Sequence, residues 1–140
     1  MNQASAVDYW NRTRDLGFAL PRCADCGAYH FYPRPACPSC GSTRVAPSAV
    51  APTGSVYSYS VVHRAPSAAF APDVPYVVAI VATDAGPHLM TRIVGAPPED
   101  VRIGLRVRVR ARAPDDAPAP PVFEPDPDGA CRAAAQRTPT

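Results

Sequence analysis

The sequence contains no lysine, because all fourteen of its basic residues are arginine. A reaction that needs a lysine Schiff base is therefore excluded. The motifs GxSxG and HExxH, the phosphate-binding loop and the dinucleotide-binding glycine pattern are also absent. The twelve acidic residues are scattered and fall mostly in turns, so a paired-carboxylate mechanism lacks its two groups. These absences predict a chain without catalytic residues of its own.

Long apolar runs are missing as well. No window holds about 18 uninterrupted apolar residues, which argues against a membrane-spanning helix. The first twenty residues lack the charged and then apolar profile of a secretory signal. We therefore expect a cytoplasmic protein with no membrane contact. Cysteines stay reduced in that compartment, so closely spaced thiols there more often bind a metal than form disulfides.

The balance of charge argues against one class of partner. Fourteen arginines against twelve acidic residues give a net charge of +2. A dedicated nucleic-acid-binding protein usually carries a more concentrated basicity than this. Nucleic acid is therefore an unexpected partner.

Short strands are the predicted elements of the second half of the chain. The 19 prolines and 8 glycines interrupt regular structure too often for long helices, while 46% hydrophobic residues argue against general disorder. A short apolar piece at Val122 and Phe123 is predicted to be the last strand, which closes the sheet that these strands form. Four or five short strands in about 75 residues favour a small barrel of the oligonucleotide/oligosaccharide-binding (OB) type. Apolar patterns place the strands at 56–63, 76–83, 88–94 and 101–109.

Two CxxCG motifs carry the clearest chemical signal. CADCG begins at Cys23 and CPSCG begins at Cys37, with ten residues between the two motifs. Two thiols three positions apart on a tight turn can bind one ion together, and the glycine lets backbone amides approach the sulfurs. The predicted metal ligands are Cys23, Cys26, Cys37 and Cys40. Zinc is the favoured ion, with iron or a redox-active thiol pair as alternatives.

A zinc ion held by four thiolates has no open position, so it neither activates water nor polarises a carbonyl. The predicted role of the ion is structural. A module of about 25 residues buries too small a core to fold alone, so metal binding supplies most of its folding free energy. The aromatic residues at 29–32, between the motifs, are expected to pack this module on the barrel. A contact surface for another protein is the alternative.

The predicted fold is mainly β, with a short N-terminal helix, a rubredoxin-like zinc ribbon and a small OB-fold β-barrel. A capping pattern at Ser5 and Asp8 and a helix-ending glycine, Gly17, predict one short helix within an N-terminal segment at 1–20. The ribbon is assigned to 21–48 and the barrel to 49–124. Residues 125–140 show no apolar period and are predicted to be a disordered tail.

The arginines at 102, 106, 108, 110 and 112 alternate with apolar residues. They are expected to form the solvent face of a strand, with phosphate binding as the alternative. Arg64 differs from them because it precedes a proline-rich loop at 65–75, at the mouth of the predicted barrel. It is therefore a candidate for holding an anionic or acyl ligand.

Three further side chains give weaker signals. His63 and His88 fall on predicted strands, where a histidine more often has a structural role than that of a base. Cys131 has no neighbouring histidine or helix start to activate its thiol, so a nucleophile there is not expected.

Several motifs in this order resemble one known family. They are a Tyr-Trp pair near the start, CADCGAYHFYPRPACPSCGS, GSVYSYSVVHRAP, PYVVA, IGL and a terminal apolar-Phe strand, which together cover residues 8–124. The sequence is similar here to the zinc-ribbon and OB-fold family of acyl-CoA-associated proteins. Members are typically small non-catalytic subunits encoded beside thiolases, thiolase-like aldolases, hydroxymethylglutaryl-CoA synthases or enoyl-CoA hydratases.

The resemblance implies a hetero-oligomer in which the partner enzyme supplies the reactive groups. This chain would bind the partner and help to form its acyl-CoA channel. The resemblance implies the same four cysteine ligands for one structural zinc ion. It places Arg64, Pro66, Phe70 and Tyr76 near the acyl-CoA at the shared interface. It places Tyr9, Trp10 and Phe31 at the contact with the partner.

Two other functions remain open from the sequence. Zinc ribbons and OB barrels also occur in single-stranded nucleic-acid-binding modules, and Tyr57 and Tyr59 would be candidate stacking residues there. A stand-alone enzyme is a third hypothesis, supported only by His63, His88 and the loop at 65–75.

Overall fold

A computed structural model of the protein describes residues 9–11, 16–110 and 121–128. Over these ranges the chain consists mostly of strands, with two short 3₁₀ helices at Ala68–Asp73 and Pro98–Asp100. No helix in the described ranges is long and apolar enough to cross a membrane. The strands are β1 Ala19–Cys23, β2 Val45–Ala49, β3 Thr53–Val62, β4 Tyr76–Thr83, β5 His88–Ile93, β6 Arg106–Val109 and β7 Phe123–Pro125.

Strands β3 to β7 form a closed barrel in the order β3-β4-β5-β7-β6. All neighbours are antiparallel except β5 and β7, which run parallel with Ile93 opposite Phe123. A small five-stranded barrel with a crossover of this kind is the OB architecture. The predicted fold class is therefore confirmed, including the short closing strand at Phe123.

The apolar pattern of β4 shows why these residues form a central strand. Its side chains alternate between half-buried and buried along the whole of Tyr76–Thr83, the range predicted from the sequence. Val77, Ala79 and Val81 face the interior and are at most 1% exposed. Strand β5 begins at His88 and ends at Ile93, one residue before the predicted limit.

The strand predicted at 101–109 is wrong in its first half. Only Arg106–Val109 is a strand, and the residues before it follow the 3₁₀ helix at Pro98–Asp100 into a turn. Gly104 has φ +86° there, a conformation that interrupts an extended strand. Ile103 at this turn is 69% exposed, so the apolar alternation does not mark one buried face.

Strands β1 and β2 form a separate two-stranded sheet with Ala19 opposite Ala49 and Cys23 opposite Val45. Residues 9–11 are helical, whereas 1–8 and 12–15 lie outside the described residues. Gly17, the predicted helix end, has φ +72°, and β1 begins two residues later at Ala19, inside the predicted N-terminal segment. Leu20 is fully buried, so its packing and the pairing with β2 determine the local structure.

One hydrophobic core joins the two sheets. Phe18 and Leu20 belong to the same buried cluster as the inward residues of the barrel. The rings of Phe18 and Phe123 meet edge to face with centroids 5.9 Å apart. Tyr29 and Phe31 pack against this cluster, which confirms that aromatic residues between the CxxCG motifs hold the ribbon on the barrel.

The proposed division at residues 20, 48 and 124 stays a prediction. Strand β7 extends to Pro125, the first residue of the predicted tail. The backbone N–H of Asp128 bonds the Asp126 side chain at 3.1 Å. Residues 129–140, including Cys131, lie outside the described part of the chain.

Asp84, in the turn between β4 and β5, connects three parts of the barrel. Its carboxylate accepts two hydrogen bonds from Arg106 on β6, at 3.0 and 2.6 Å, and a third from the Thr53 hydroxyl on β3. Its backbone N–H also bonds the Thr53 carbonyl at 3.0 Å. The Arg106 hydrogen bonds, assisted by the Thr53 hydroxyl, lower the pKa of Asp84.

An Asp84→Asn variant should lose about 1 kcal/mol of stability at pH 7, near the upper limit for a partly exposed ion pair. A carboxyl with a lowered folded-state pKa stabilises the fold above its unfolded pKa of about 4, and this contribution is lost as pH falls through the folded value. The deficit of the variant, meaning its loss of unfolding free energy relative to wild type, should therefore be constant from about pH 7 to pH 5 and shrink below about pH 4.

Urea unfolding of wild type and variant across this pH range measures the deficit. Asp100→Asn, which removes another exposed carboxylate, is the matched control and should show little change. A deficit of equal size at pH 7 and pH 3 would show that the ionised carboxylate is not its cause.

Candidate metal centre and adjoining surfaces

The four predicted cysteine ligands come together at one end of the ribbon. Their sulfurs all lie within 4.8 Å of one another, with Cys23 and Cys40 3.6 Å apart and Cys26 and Cys37 also 3.6 Å apart. Cys23 and Cys37 are buried, whereas Cys26 and Cys40 are exposed. The cluster thus lies at the protein surface with half of its sulfurs covered by the chain.

Each CxxCG motif forms the same tight turn. Gly27 donates a backbone hydrogen bond to the Cys23 carbonyl and Gly41 to the Cys37 carbonyl, both at 2.9 Å. The two glycines have φ +74° and +77°, in the left-handed region where a side chain is strained. This requirement explains why glycine follows each cysteine pair.

A polar cluster outside the sulfurs links the two turns. Asp25, between the first pair of cysteines, accepts hydrogen bonds from the Ser42 hydroxyl and from Arg44 Nη1, the latter at 2.8 Å. The backbone N–H of Ala24 also bonds the Arg44 carbonyl at 2.8 Å. These contacts hold the motifs in register. Sequence reasoning missed them, because CxxCG spacing does not indicate which residues connect two motifs.

Hydrogen bonds around the sulfurs shift the pKa values of Cys23 and Cys40 in opposite directions. The backbone N–H of Cys26, with that of Asp25, lowers the pKa of Cys23 to about 6. The Ser42 N–H acts in the same direction on Cys40, but the thiols of Cys23 and Cys26 outweigh it and raise the pKa of Cys40 to about 12. A cation that binds all four sulfurs must displace the retained protons, so metal affinity falls as pH falls.

The donor set fits a zinc ion. Thiolates bound to zinc at about 2.3 Å in a tetrahedron lie about 3.8 Å apart, close to the 3.6 Å separations of Cys23 from Cys40 and of Cys26 from Cys37. Four sulfur donors also suit iron, as the sequence already indicated. Either ion would be held by Cys23, Cys26, Cys37 and Cys40 and would have all four positions filled by protein.

The residues predicted to contact a partner form a series of aromatic rings on the ribbon. Tyr9 and Trp10 meet edge to face at 4.9 Å, Trp10 and Phe31 lie 6.2 Å apart, and Phe31 and Tyr32 lie 4.4 Å apart. The Tyr9 hydroxyl donates to the Ala19 carbonyl at 3.0 Å, which fixes the helical residues on β1. Tyr32, at the end of the series, is 52% exposed.

The four residues predicted near an acyl-CoA lie in and beside the connection between β3 and β4. Arg64 and Pro66 are exposed, and Phe70 is 40% exposed in the 3₁₀ helix that replaces part of the predicted loop. The rings of Phe70 and Tyr76 are 6.1 Å apart, so the structure brings these two together. Arg64 and Pro66 lie earlier in the same connection, between the end of β3 and the 3₁₀ helix.

Arg92 is a residue of this region that sequence reasoning missed. Its guanidinium lies over the Tyr76 ring, 4.5 Å from the centroid, and its Nη1 is 3.4 Å from Asp73 Oδ2. The strand pattern of β5 indicates an outward position for Arg92, but no spacing rule connects it with two residues more than fifteen positions earlier.

The arginine series on β6 is largely neutralised by carboxylates. Arg106 pairs with Asp84, and Arg108 pairs with Glu124 of β7 at 3.1 Å. Arg110 approaches the same Glu124 at 4.0 Å, while Arg112 lies outside the described residues. The pairs agree with the solvent-face interpretation and weaken the phosphate-binding alternative.

A four-cysteine ribbon that shares its core with an OB barrel defines the class of this protein. Residues 10–46 match the family described as "ChsH2, rubredoxin-like zinc ribbon domain", and residues 48–112 match "ChsH2, C-terminal OB-fold domain". The chain belongs to this ChsH2 family of zinc-ribbon and OB-fold proteins.

Individual relatives extend this result. A solved chain described as "Ltp2-ChsH2(DUF35) aldolase" is 35% identical with a TM-score of 0.72, over 89% of this chain and 96% of that one. A "DUF35 domain-containing scaffold protein" of Methanocaldococcus jannaschii is 41% identical over 87 residues, which is 61% of each protein.

A "Probable enoyl-CoA hydratase alpha subunit" of Thermomonospora curvata is also 41% identical, over 117 residues. The match covers 84% of this chain but 36% of that protein. The present chain therefore spans about a third of the hydratase subunit and about three fifths of the archaeal scaffold protein.

Proposed function

We propose that this chain is a non-catalytic subunit that binds a thiolase-type enzyme, a thiolase-like aldolase or an acyl-CoA hydratase, and helps to form its acyl-CoA channel. The observation that carries the proposal is the likeness to the chain described as an Ltp2-ChsH2 aldolase. The scaffold name of the archaeal relative agrees with a non-catalytic role, and the hydratase name agrees with acyl-CoA chemistry.

The ion in this proposal is one structural zinc, held by Cys23, Cys26, Cys37 and Cys40. Bound zinc would supply the positive charge that keeps four thiolates together, with no open position for a substrate. The ribbon then presents its outer residues in a fixed arrangement. Support for zinc comes from the sulfur separations and from the zinc ribbon family match.

The partner enzyme contacts the ribbon at Trp10 and Phe31, and the buried Tyr9 supports that contact by its edge-to-face packing on Trp10. Aromatic side chains provide a large contact area at low conformational cost, and they are enriched where protein partners meet. The ring series ends at the half-exposed Tyr32, which continues the same surface toward solvent. Because Phe31 also packs against the shared core, the contact surface is fixed to the barrel.

Acyl-CoA lies against the connection between β3 and β4 in this proposal. Phe70 and Tyr76 provide apolar area for the acyl part, and the exposed Arg64 provides a cation for an anionic part of the cofactor. Pro66 restricts the backbone between them. The reacting groups belong to the partner.

A single-stranded nucleic-acid-binding module is the second candidate function. Tyr57 and Tyr59 on β3 are 60% and 40% exposed, which suits base stacking. Such binding also needs a groove lined by cationic side chains that are free to contact phosphates. Arg106 and Arg108 are instead paired with carboxylates. The observations therefore favour the acyl-CoA subunit.

Coexpression with a thiolase-type enzyme, chosen from the genes next to the one for this chain, tests the proposal. Size-exclusion chromatography with light scattering should show a hetero-oligomer that persists at about 1 μM. Calorimetry with acetyl-CoA should show tighter binding to the complex than to either component. A partner that is equally soluble and binds acetyl-CoA equally well alone would contradict the proposal.

The alternative is tested on the same purified chain. Fluorescence titration with single-stranded DNA at about 0.15 M salt should give no saturable signal. Binding that weakens with added salt by the slope expected for counterion release would favour the nucleic-acid function instead.

A further inference from the structure

The 3₁₀ helix at Ala68–Asp73, here named the Phe70 turn, has no buried residue. Core packing therefore does not fix its position. Its backbone is closed by a hydrogen bond from the Phe70 N–H to the Ser67 carbonyl at 3.1 Å, which is internal to the segment. Beyond the short covalent link to β4, side-chain contacts are what can fix the position of Phe70 relative to the barrel.

Two side-chain contacts of the turn involve Arg92, one directly and one through the Tyr76 ring. Asp73, the last residue of the turn, pairs with Arg92 Nη1 at 3.4 Å. Phe70 lies 6.1 Å from the Tyr76 ring, and the Arg92 guanidinium covers that ring at 4.5 Å from its centroid. Arg92 projects from β5, opposite Val78 on the neighbouring strand β4. It therefore connects the C-terminal end of the Phe70 turn directly with the barrel wall, and it lies over the ring that Phe70 approaches.

We propose that Arg92 is the positioning residue that holds the Phe70 turn on the barrel and sets where Phe70 projects. A planar guanidinium suits this role, since one face stacks on Tyr76 while the edge donates to Asp73. The side chain is about one-third exposed, so both contacts are partly shielded from water. The use of Phe70 toward acyl-CoA rests on the proposed function, whereas the holding contact does not.

Chymotrypsin cleavage between Phe70 and Ala71, followed by intact-mass spectrometry, tests the proposal on the full-length protein. Cleavage requires the turn to open, so its rate reports the open population when opening is fast. Arg92→Ala should be cleaved about tenfold faster than wild type, as expected for loss of one partly shielded cation–π contact and one ion pair. Cleavage of Arg92→Ala at the wild-type rate would overturn the proposal.

Four further variants sharpen the result. Arg92→Lys should be cleaved at an intermediate rate, because lysine keeps the charge for Asp73 but has no planar group for Tyr76. Asp73→Asn should be cleaved roughly threefold faster than wild type. The double variant with Asp73→Asn and Arg92→Ala should be cleaved no faster than Arg92→Ala alone, because the ion pair is already lost there. Arg102→Ala, which removes an exposed arginine elsewhere, should match wild type.

The complex with the partner enzyme separates this inference from the proposed function. If Arg92→Ala opens the turn and also weakens acetyl-CoA binding by the complex, both hold. If it opens the turn while acetyl-CoA affinity is unchanged, the positioning role is supported and the acyl-CoA role of Phe70 fails.

Discussion

A Cys37→Ser variant is expected to lose stoichiometric zinc and most of its association with the partner enzyme. Loss of groups that merely orient metal ligands costs about 10- to 100-fold in affinity, so removal of a ligand should cost roughly 100-fold or more. Cys37 is buried, and its sulfur accepts a backbone hydrogen bond from Ser39 at 3.4 Å. Serine provides a weaker donor that does not reproduce the thiolate.

The effect on the ribbon should exceed the effect on the barrel. Phe18 and Leu20 join the ribbon to the barrel core, so the variant should show a lower Tm with most of its β-sheet signal retained. Zinc per chain by atomic emission, circular dichroism and partner binding are the measurements. Cys131→Ser is the control, because Cys131 lies outside both CxxCG motifs. Unchanged zinc content and unchanged complex formation in Cys37→Ser would remove Cys37 from the ligand set.

A Gly54→Ala variant should be destabilised by about 3 kcal/mol, because a new Cβ has no space in the closed barrel. That Cβ would lie 2.6 Å from the Ala82 carbonyl oxygen, 2.8 Å from Val81 Cγ1 and 3.1 Å from Thr83 Cα. Two of these three atoms belong to the backbone of β4, so relief requires the strands to separate. Gly54 also pairs with Val107 of β6, at the closing seam of the barrel.

Urea unfolding measures the cost of Gly54→Ala, and Ser55→Ala at the adjacent position is the matched control. Ser55 is half-buried on the other side of the strand, so its change should stay within about 0.5 kcal/mol. A Gly54→Ala protein as stable as the control would mean that the barrel seam is looser than the structure indicates.

Local sequence patterns were enough to predict the elements that depend on local chemistry. The near-continuous apolar run in Tyr76–Thr83 predicts β4 to the residue, since a short apolar run bounded by turn residues is typical of a buried strand. The two CxxCG motifs predict the sulfur cluster, because the spacing within each pair sets its geometry. The resemblance of motifs predicts the family, which the comparisons show.

Contacts between distant segments could not be predicted in the same way. Strand β1 has no alternation, and it forms because Leu20 enters the barrel core and residues 45–49 pair with it. The pairs Asp84–Arg106 and Asp73–Arg92 depend on strand order and register, which periodicity does not encode. The failure at residues 101–105 has the same origin, because apolar alternation there coincides with a turn at Gly104.

Thioester turnover should be measured on three purified samples: this chain alone with zinc bound, a thiolase-type enzyme alone, and their complex. A non-catalytic subunit should show no turnover of acetyl-CoA or a longer acyl-CoA, and the complex should be more active than the enzyme alone. Turnover by the isolated chain at a rate comparable with that of the complex would show that this chain carries catalytic groups of its own.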